Sequence, residues 1–267
     1  MAVLNINKTK PRLSAWITGA SKGIGRALAI EIAREGWTVA ASGRDITALE
    51  SLVELSENFS GKIKAYPFDI TDGARSEEVY DRLEKDIGPI RLAILNAGTY
   101  IPEPAKDFNK KNFRFLFETN LMGTVNCLNP VIKQFVNRGQ GHIVIVSSLV
   151  GYCGLPSSSA YGATKAALIN MCESLYLELN ACGVDLSVVT PGFVRTPLTD
   201  QNEFYMPLLM EPEKAAKRII QGIKRNQFEI SFPRRMTFIM KLLRLLPYPV
   251  FFAITRLSLI HISATTR

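Results

Sequence analysis

The chain has 267 residues, is 47% hydrophobic and carries a formal charge of +8. That length sustains one large core in an undivided domain, and the lack of any run of about 18 apolar residues excludes a plain transmembrane span. Residues 230–267 hold six Lys/Arg and no acid, whereas the first 229 hold the other 26 basic and all 24 acidic residues, which argues against a general nucleic-acid-binding surface.

At the N-terminus, "MAVLNINKTKPRLSAW" lacks the apolar stretch and cleavage site of a secretory signal, and "NINKTKPR" reads as a short mobile arm. The four cysteines, Cys127, Cys153, Cys172 and Cys182, show no C-x-x-C spacing. They fit small hydrophobes in a reduced, cytoplasmic setting. With only His142 and His261 present, neither a histidine triad nor a metal site is expected, and His142 reads as a strand-entry residue.

Seven apolar segments read as strands: 14–20, 38–44, 62–68, 92–98, 142–148, 185–191 and 228–232. Several are nearly continuous, as in strands buried on both faces. Helical patterns separate them. "GIGRALAIEIAREG" places Ile24, Leu28 and Ile32 on one face, with Gly36 as its stop. Further helices are expected over "DITALESLVELSEN", "GARSEEVYDRLEKDI", a long segment near 112–137, another near 158–182, and "EPEKAAKRIIQGIKR". The alternation predicts a doubly wound α/β fold: a parallel Rossmann-type sheet of about seven strands with helices on both faces. The single domain is expected over 1–233, with a C-terminal helical extension over 234–267.

The first strand runs into "TGASKGIG", with Gly19, Gly23 and Gly25 spaced G-x-x-x-G-x-G. This is a variant of the dinucleotide-binding fingerprint. Glycines allow the tight turn and bring backbone N–H groups close to a pyrophosphate at a helix N-terminus. The second strand ends in Gly43-Arg44-Asp45. Arg44, helped by Lys22, suits a 2′-phosphate and so favours NADP, with NAD as the alternative. Asp45 alternatively caps the next helix. Asp69, closing the third strand, either touches adenine or starts a turn.

Tyr161 and Lys165 lie i, i+4 on one helix face. A free tyrosine has a pKa of about 10, and moving it to about 7 takes roughly 4 kcal/mol of differential stabilisation. A neighbouring ammonium and an oxidised nicotinamide both act in that direction. Such a pair suits proton exchange in a carbonyl/alcohol interconversion.

The motifs "TGASKGIG", "LNAG" (95–98), "TNLMG" (119–123), "IVIVSS" (143–148), "YGATK" (161–165) and "PGFVRT" (191–196) follow one another as in the short-chain dehydrogenase/reductase family, which the chain resembles over residues 15–233. Its compact single-domain branch is the better match. The resemblance implies that Tyr161 is the general acid/base and that Lys165 lowers its pKa and binds the nicotinamide ribose. It implies that Ser148 polarises the substrate oxygen and that Asn120 holds a water linking Lys165 to solvent. Gly19, Ser21, Lys22, Gly23, Ile24, Gly25, Arg44, Asp69, Asn96, Ala97 and Gly98 would surround the dinucleotide. Pro191, Gly192, Val194 and Thr196 would meet its nicotinamide end, beside Tyr161 and Lys165. Ser147 competes with Ser148 as a strand-end serine, and Ser157, Ser158 and Ser159 read as loop or capping residues.

The segment "TDQNEFYMPLLM" reads either as an apolar lid, through Phe204, Tyr205, Met206, Leu208, Leu209 and Met210, or as a cap on the core. Thr99, Tyr100, Cys153 and Phe193 are further pocket candidates. In the tail, two short helices broken at "PYP" are expected. Their apolar, basic composition fits peripheral contact with an anionic membrane on its cytoplasmic face, or packing in an interface. The functional expectation is an NADP-preferring oxidoreductase acting on an apolar carbonyl or alcohol. The alternatives are a 3-oxoacyl thioester reductase and a non-catalytic nucleotide-sensing or scaffold protein. The family commonly forms homodimers and homotetramers through the helices near 112–137 and 158–182.

Overall fold

The computed structural model describes residues 13–201 and 205–264, with side chains as far as Arg256. The predicted N-terminal arm and Phe204 lie outside the described residues. Seven strands form one sheet: β1 (Ser14–Thr18), β2 (Thr38–Gly43), β3 (Lys62–Pro67), β4 (Leu92–Leu95), β5 (Gly141–Val146), β6 (Val184–Pro191) and β7 (Glu229–Phe232). Their spatial order is β3-β2-β1-β4-β5-β6-β7, and every pairing is parallel. The order reverses between β1 and β4. The crevice beyond the carboxyl ends of these two strands is where an open α/β sheet takes its ligand.

Helices α1 (Gly23–Arg34), α2 (Ile46–Leu55), α3 (Gly73–Ile87), α4 (Lys110–Leu116), α5 (Gly123–Arg138), α6 (Ser159–Ala181), α7 (Pro212–Lys224), α8 (Arg234–Leu245) and α9 (Tyr248–Ala264) complete the described fold. One core packs Leu28, Ile32, Leu49, Leu52 and Ile219 of α1, α2 and α7 on one side of the sheet. The other packs Tyr80, Leu83, Phe135 and Leu168 of α3, α5 and α6 on the opposite side. Strand residues alternate between them: Ala15 and Ile17 join the first, Trp16 the second. This two-sided burial explains why the strands read as nearly continuous apolar runs. Trp16 donates its indole N–H to Ser42 Oγ at 3.0 Å, satisfying the polar edge of a fully buried ring.

One expectation is corrected. The segment near 112–137 is not a single regular helix: a π-helical turn, Phe117–Met122, separates α4 from α5. Such turns insert an extra residue and redirect side chains, often at functional sites. The tail does form two helices, interrupted at Leu246 and Pro247, but α9 is long, with 17 residues. His142 enters β5 as expected, and its ring Nε2 meets Ser187 Oγ at 2.8 Å. Burial holds its pKa below the ordinary value.

Candidate active site

The glycine turn sits at the switch point because its glycines leave no room for side chains. Gly19 has φ +67°, and a Cβ there would lie 2.7 Å from Ala97 Cα. A Cβ on Gly25 would lie 2.2 Å from the Gly19 carbonyl oxygen. The turn is thereby pressed onto the loop after β4. Asn96 fastens the two: its Nδ2 donates to the carbonyls of Thr18 at 3.1 Å and Gly19 at 3.2 Å. Thr18 Oγ1 in return accepts from the N–H groups of Asn96 and Ala97. Lys22, at the N-cap of α1, makes no side-chain capping bond, and the first turn carries no acid. The helix therefore presents its N-terminal N–H groups and positive dipole end to whatever enters the crevice.

That crevice is a cavity of about 1500 Å³, into which the glycine turn, Arg44, Asn96, Tyr161 and Lys165 all open. Its volume exceeds a typical small-ligand pocket, leaving space for a substrate beside a dinucleotide. The close-packed glycines, the uncapped helix and the basic pair at the end of β2 together fit an extended diphosphate-bearing ligand.

Two ion pairs occupy the β2 end. Lys22 Nζ lies 3.0 Å from Asp45 Oδ2, and Arg44 lies 3.7 Å from Asp69 Oδ2. Asp45 caps α2, its Oδ1 accepting from the Ala48 N–H at 3.1 Å. That backbone bond, with Lys22, holds its carboxyl below the usual range. Asp69 begins a turn, accepting from the Thr71 N–H and hydroxyl, and also lines the cavity.

At the other end, Tyr161 and Lys165 project from the first turns of α6. Burial pushes the Tyr161 phenol up to about 12, against the opposing pull of a hydrogen bond from Ser148. Burial likewise pushes the Lys165 ammonium down to about 8. Lys165 Nζ donates to the Val146 carbonyl at 3.0 Å and lies 5.7 Å from the Tyr161 ring centroid. In the protein alone desolvation dominates and holds the phenol up, whereas the residue spacing suggests a phenol held low. Tyr100 packs edge-on against Tyr161, with ring centroids 4.9 Å apart.

Ser147 and Ser148 separate cleanly. Ser147 Oγ donates to the Lys165 carbonyl at 2.7 Å, binding β5 to α6, whereas Ser148 Oγ accepts from the Val150 N–H at 3.3 Å and opens with Tyr161 into the cavity. Asn120, in the π turn, is fully buried. Its Oδ1 accepts from the Thr99 N–H at 2.7 Å, and its Nδ2 donates to the Thr99 carbonyl at 2.9 Å and to Thr164 Oγ1 at 3.3 Å. Thr164 Oγ1 in turn donates to the Tyr161 carbonyl at 2.7 Å. Asn120 thus ties the loop after β4 to the turn of α6 that carries Tyr161.

Of the predicted site residues, Gly25 and Asn120 do not line the cavity; the others do. Thr99, Tyr100 and Phe193 line it as well, but Cys153 does not; it is buried with Leu149, Met240 and Phe251. The segment before α7 is divided. Met210 is buried and exchanges backbone hydrogen bonds with Phe193 and Arg195, whereas Tyr205 lines the cavity mouth at 81% exposure. Sequence reasoning missed Met236 and Met240 of α8, which wall the cavity. The apolar spacing of the tail held that signal, without indicating which face turns inward.

The chain matches the short chain dehydrogenase family over residues 14–204. It is 36% identical over 243 residues to an uncharacterized oxidoreductase of Myxococcus xanthus, covering 91% of this chain and 96% of that one. It is 32% identical over 212 residues to the 3-oxoacyl-acyl-carrier-protein reductase FabG of Thermotoga maritima, covering 79% and 82% of the two chains. Among solved structures, a short-chain dehydrogenase from Sphingobium yanoikuyae in complex with NADPH superposes with a TM-score of 0.76 at 28% identity, covering 83% and 88%. The protein belongs to the short-chain dehydrogenase/reductase family. It is an NAD(P)-dependent oxidoreductase.

Proposed function

We propose that the protein is an NADP-preferring oxidoreductase interconverting an apolar carbonyl compound and its alcohol, with Tyr161 as the proton donor and acceptor. The observation that carries this reading is the opening of Ser148, Tyr161 and Lys165 into the same cavity as the glycine turn. A reduced nicotinamide dinucleotide, when bound, would supply a hydride (a proton with two electrons) to the carbonyl carbon. Tyr161 gives the proton to the carbonyl oxygen and is reprotonated from solvent. With its pKa pushed to about 12, the phenol is held as the acid at neutral pH, the form needed for reduction. Ser148 orients the oxygen by hydrogen bonding. Lys165 stabilises the phenolate left behind, and Asn120 positions Tyr161 through Thr164.

The preference for NADP rests on Arg44 and Lys22. Their ion pairs are exposed and contribute little, so a 2′-phosphate can replace the carboxylates. Asp45 spends Oδ1 on the α2 cap and Oδ2 on Lys22, which leaves it ill-placed to receive a ribose hydroxyl. Met236, Met240, Leu149 and Phe193 along the cavity support an apolar substrate. A 3-oxoacyl thioester is the second reading, favoured by the named activity of the Thermotoga maritima relative. Self-association through α4–α6 is supported by the exposed Phe115, Met122 and Leu177, and peripheral membrane contact by the exposed apolar side chains of α8 and α9. The deciding experiment is a screen of ketones and aldehydes with NADPH and NADH. Ketone reduction by wild type, lost in Tyr161→Phe with NADPH binding retained, supports the proposal; NADPH binding without turnover of any carbonyl contradicts it.

A further inference from the structure

Helix α8 carries two apolar faces. The inner one, Met236 and Met240, forms part of the cavity wall and packs with Leu149, Cys153 and Phe251. The outer one presents Phe238, Ile239, Leu242 and Leu245, exposed to 69%, 55%, 49% and 81%. These positions, i, i+1, i+4 and i+7, make one stripe along the helix. Helix α9 adds Tyr248, Val250, Phe252 and Ile254, all exposed; Tyr248 and Phe252, i and i+4 on one face, stack at 5.8 Å. So dense an apolar surface is unlike the scattered exposed residues of an ordinary soluble face.

We propose that this face seats the enzyme on an anionic lipid bilayer, and that its substrate is a lipophilic carbonyl compound or alcohol dissolved in that bilayer, reaching Tyr161 past α8 without crossing water. The substrate half rests on the function proposed above. Charge selects the occupant. No acid follows Glu229, whereas Arg234, Arg235, Arg244 and Arg256 are all exposed. An acid-free basic rim complements anionic headgroups. A symmetric contact with a second copy would set these cations against one another. No described helix is long and apolar enough to cross a membrane, consistent with helices lying in the interface. Helix α8 is fixed to the sheet: Lys241 pairs with Glu229 of β7, which also accepts from the Tyr152 hydroxyl. Seating α8 on a bilayer thus sets the cavity relative to the lipid. Tyr205, exposed, lines the same cavity.

The test uses the full chain at low salt with vesicles of phosphatidylcholine alone, or of phosphatidylcholine mixed with phosphatidylglycerol. Co-sedimentation is expected with the anionic vesicles, and at least about tenfold less with phosphatidylcholine alone. Phe238→Glu/Leu242→Glu should weaken vesicle binding about tenfold or more; retained NADPH binding shows that it is folded, and Leu245→Gln serves as a milder second variant. For a long-chain ketone held in vesicles, the double variant should raise KM about tenfold, while kcat/KM for a short water-soluble ketone stays within about twofold. Failure to bind anionic vesicles overturns the proposal. So does vesicle binding with an unchanged KM for the vesicle-held ketone. A dimer that ignores vesicles and splits in the double variant assigns the face to a second copy, and also overturns it. If wild type reduces neither ketone, the Tyr161 reading and the substrate half fail together, and sedimentation alone decides the docking half.

Discussion

Lys165 Nζ donates to the Val146 carbonyl at 3.0 Å, so the buried ammonium of α6 is bonded to the last residue of β5. With its pKa pushed from 10.5 to about 8 by burial, the residue opposes folding. Below pH 8 it is charged in both folded and unfolded chains, and the folded chain bears the full desolvation cost. Between pH 8 and 10.5 the folded chain gives up the proton first, so stability rises with pH there. Lys165→Met should raise cofactor-free stability at pH 7 by roughly 2 kcal/mol: about 3 kcal/mol of relieved desolvation less about 1 for the orphaned Val146 carbonyl. Thermal melts of both proteins should show a gain of about 4 °C or more at pH 7, shrinking towards pH 10.5. An equal gap at both pH values would refute the assignment of the cost to this ammonium. The variant should also lose turnover.

Tyr161→Phe removes the phenol while keeping the ring against Tyr100. Turnover of any carbonyl substrate should fall by about 100- to 10,000-fold, with NADPH affinity, read by fluorescence, within about threefold. Retained turnover would remove Tyr161 from the mechanism.

Arg44→Asp places a carboxylate where the 2′-phosphate is proposed to bind and also breaks the pair with Asp69. The ratio of kcat/KM for NADPH to that for NADH should fall about 10- to 100-fold. An unchanged ratio would show that dinucleotide selection lies elsewhere in the crevice.

Asn120→Ala deletes the three hydrogen bonds of a fully buried side chain in the π turn and orphans the Thr99 backbone groups. A loss of about 2–3 kcal/mol is expected in denaturant titrations. If Asn120 positions Tyr161 through Thr164, kcat should also fall, with KM for the dinucleotide little changed; loss of stability at full kcat would make it structural alone.

Much of this was legible in the sequence because local signals and tertiary packing agree. All seven strands were marked by apolar runs, of which the sheet buries the five inner ones on both faces, and α3 begins and ends where its pattern does. The glycine turn was legible because backbone conformation and close approach both demand glycine at Gly19. Three things were not. The π turn at Asn120 leaves the apolar spacing of a helix nearly intact, so periodicity does not reveal it. The choice of Ser148 over Ser147 rests on its spacing to Tyr161 alone, and the contact that occupies Ser147, with the Lys165 carbonyl 18 residues away, was not legible. The inward turn of Met236 and Met240 depends on the docking of α8, which tail composition does not encode.

The placement of β3 at one rim of the sheet carries its own consequence. Its Lys62 and Lys64 are exposed, and Pro67 closes it without an N–H. Two lysines and an imino acid make this margin a poor template for another chain's strand. This edge of the sheet is thereby guarded against fibrous growth by strand addition.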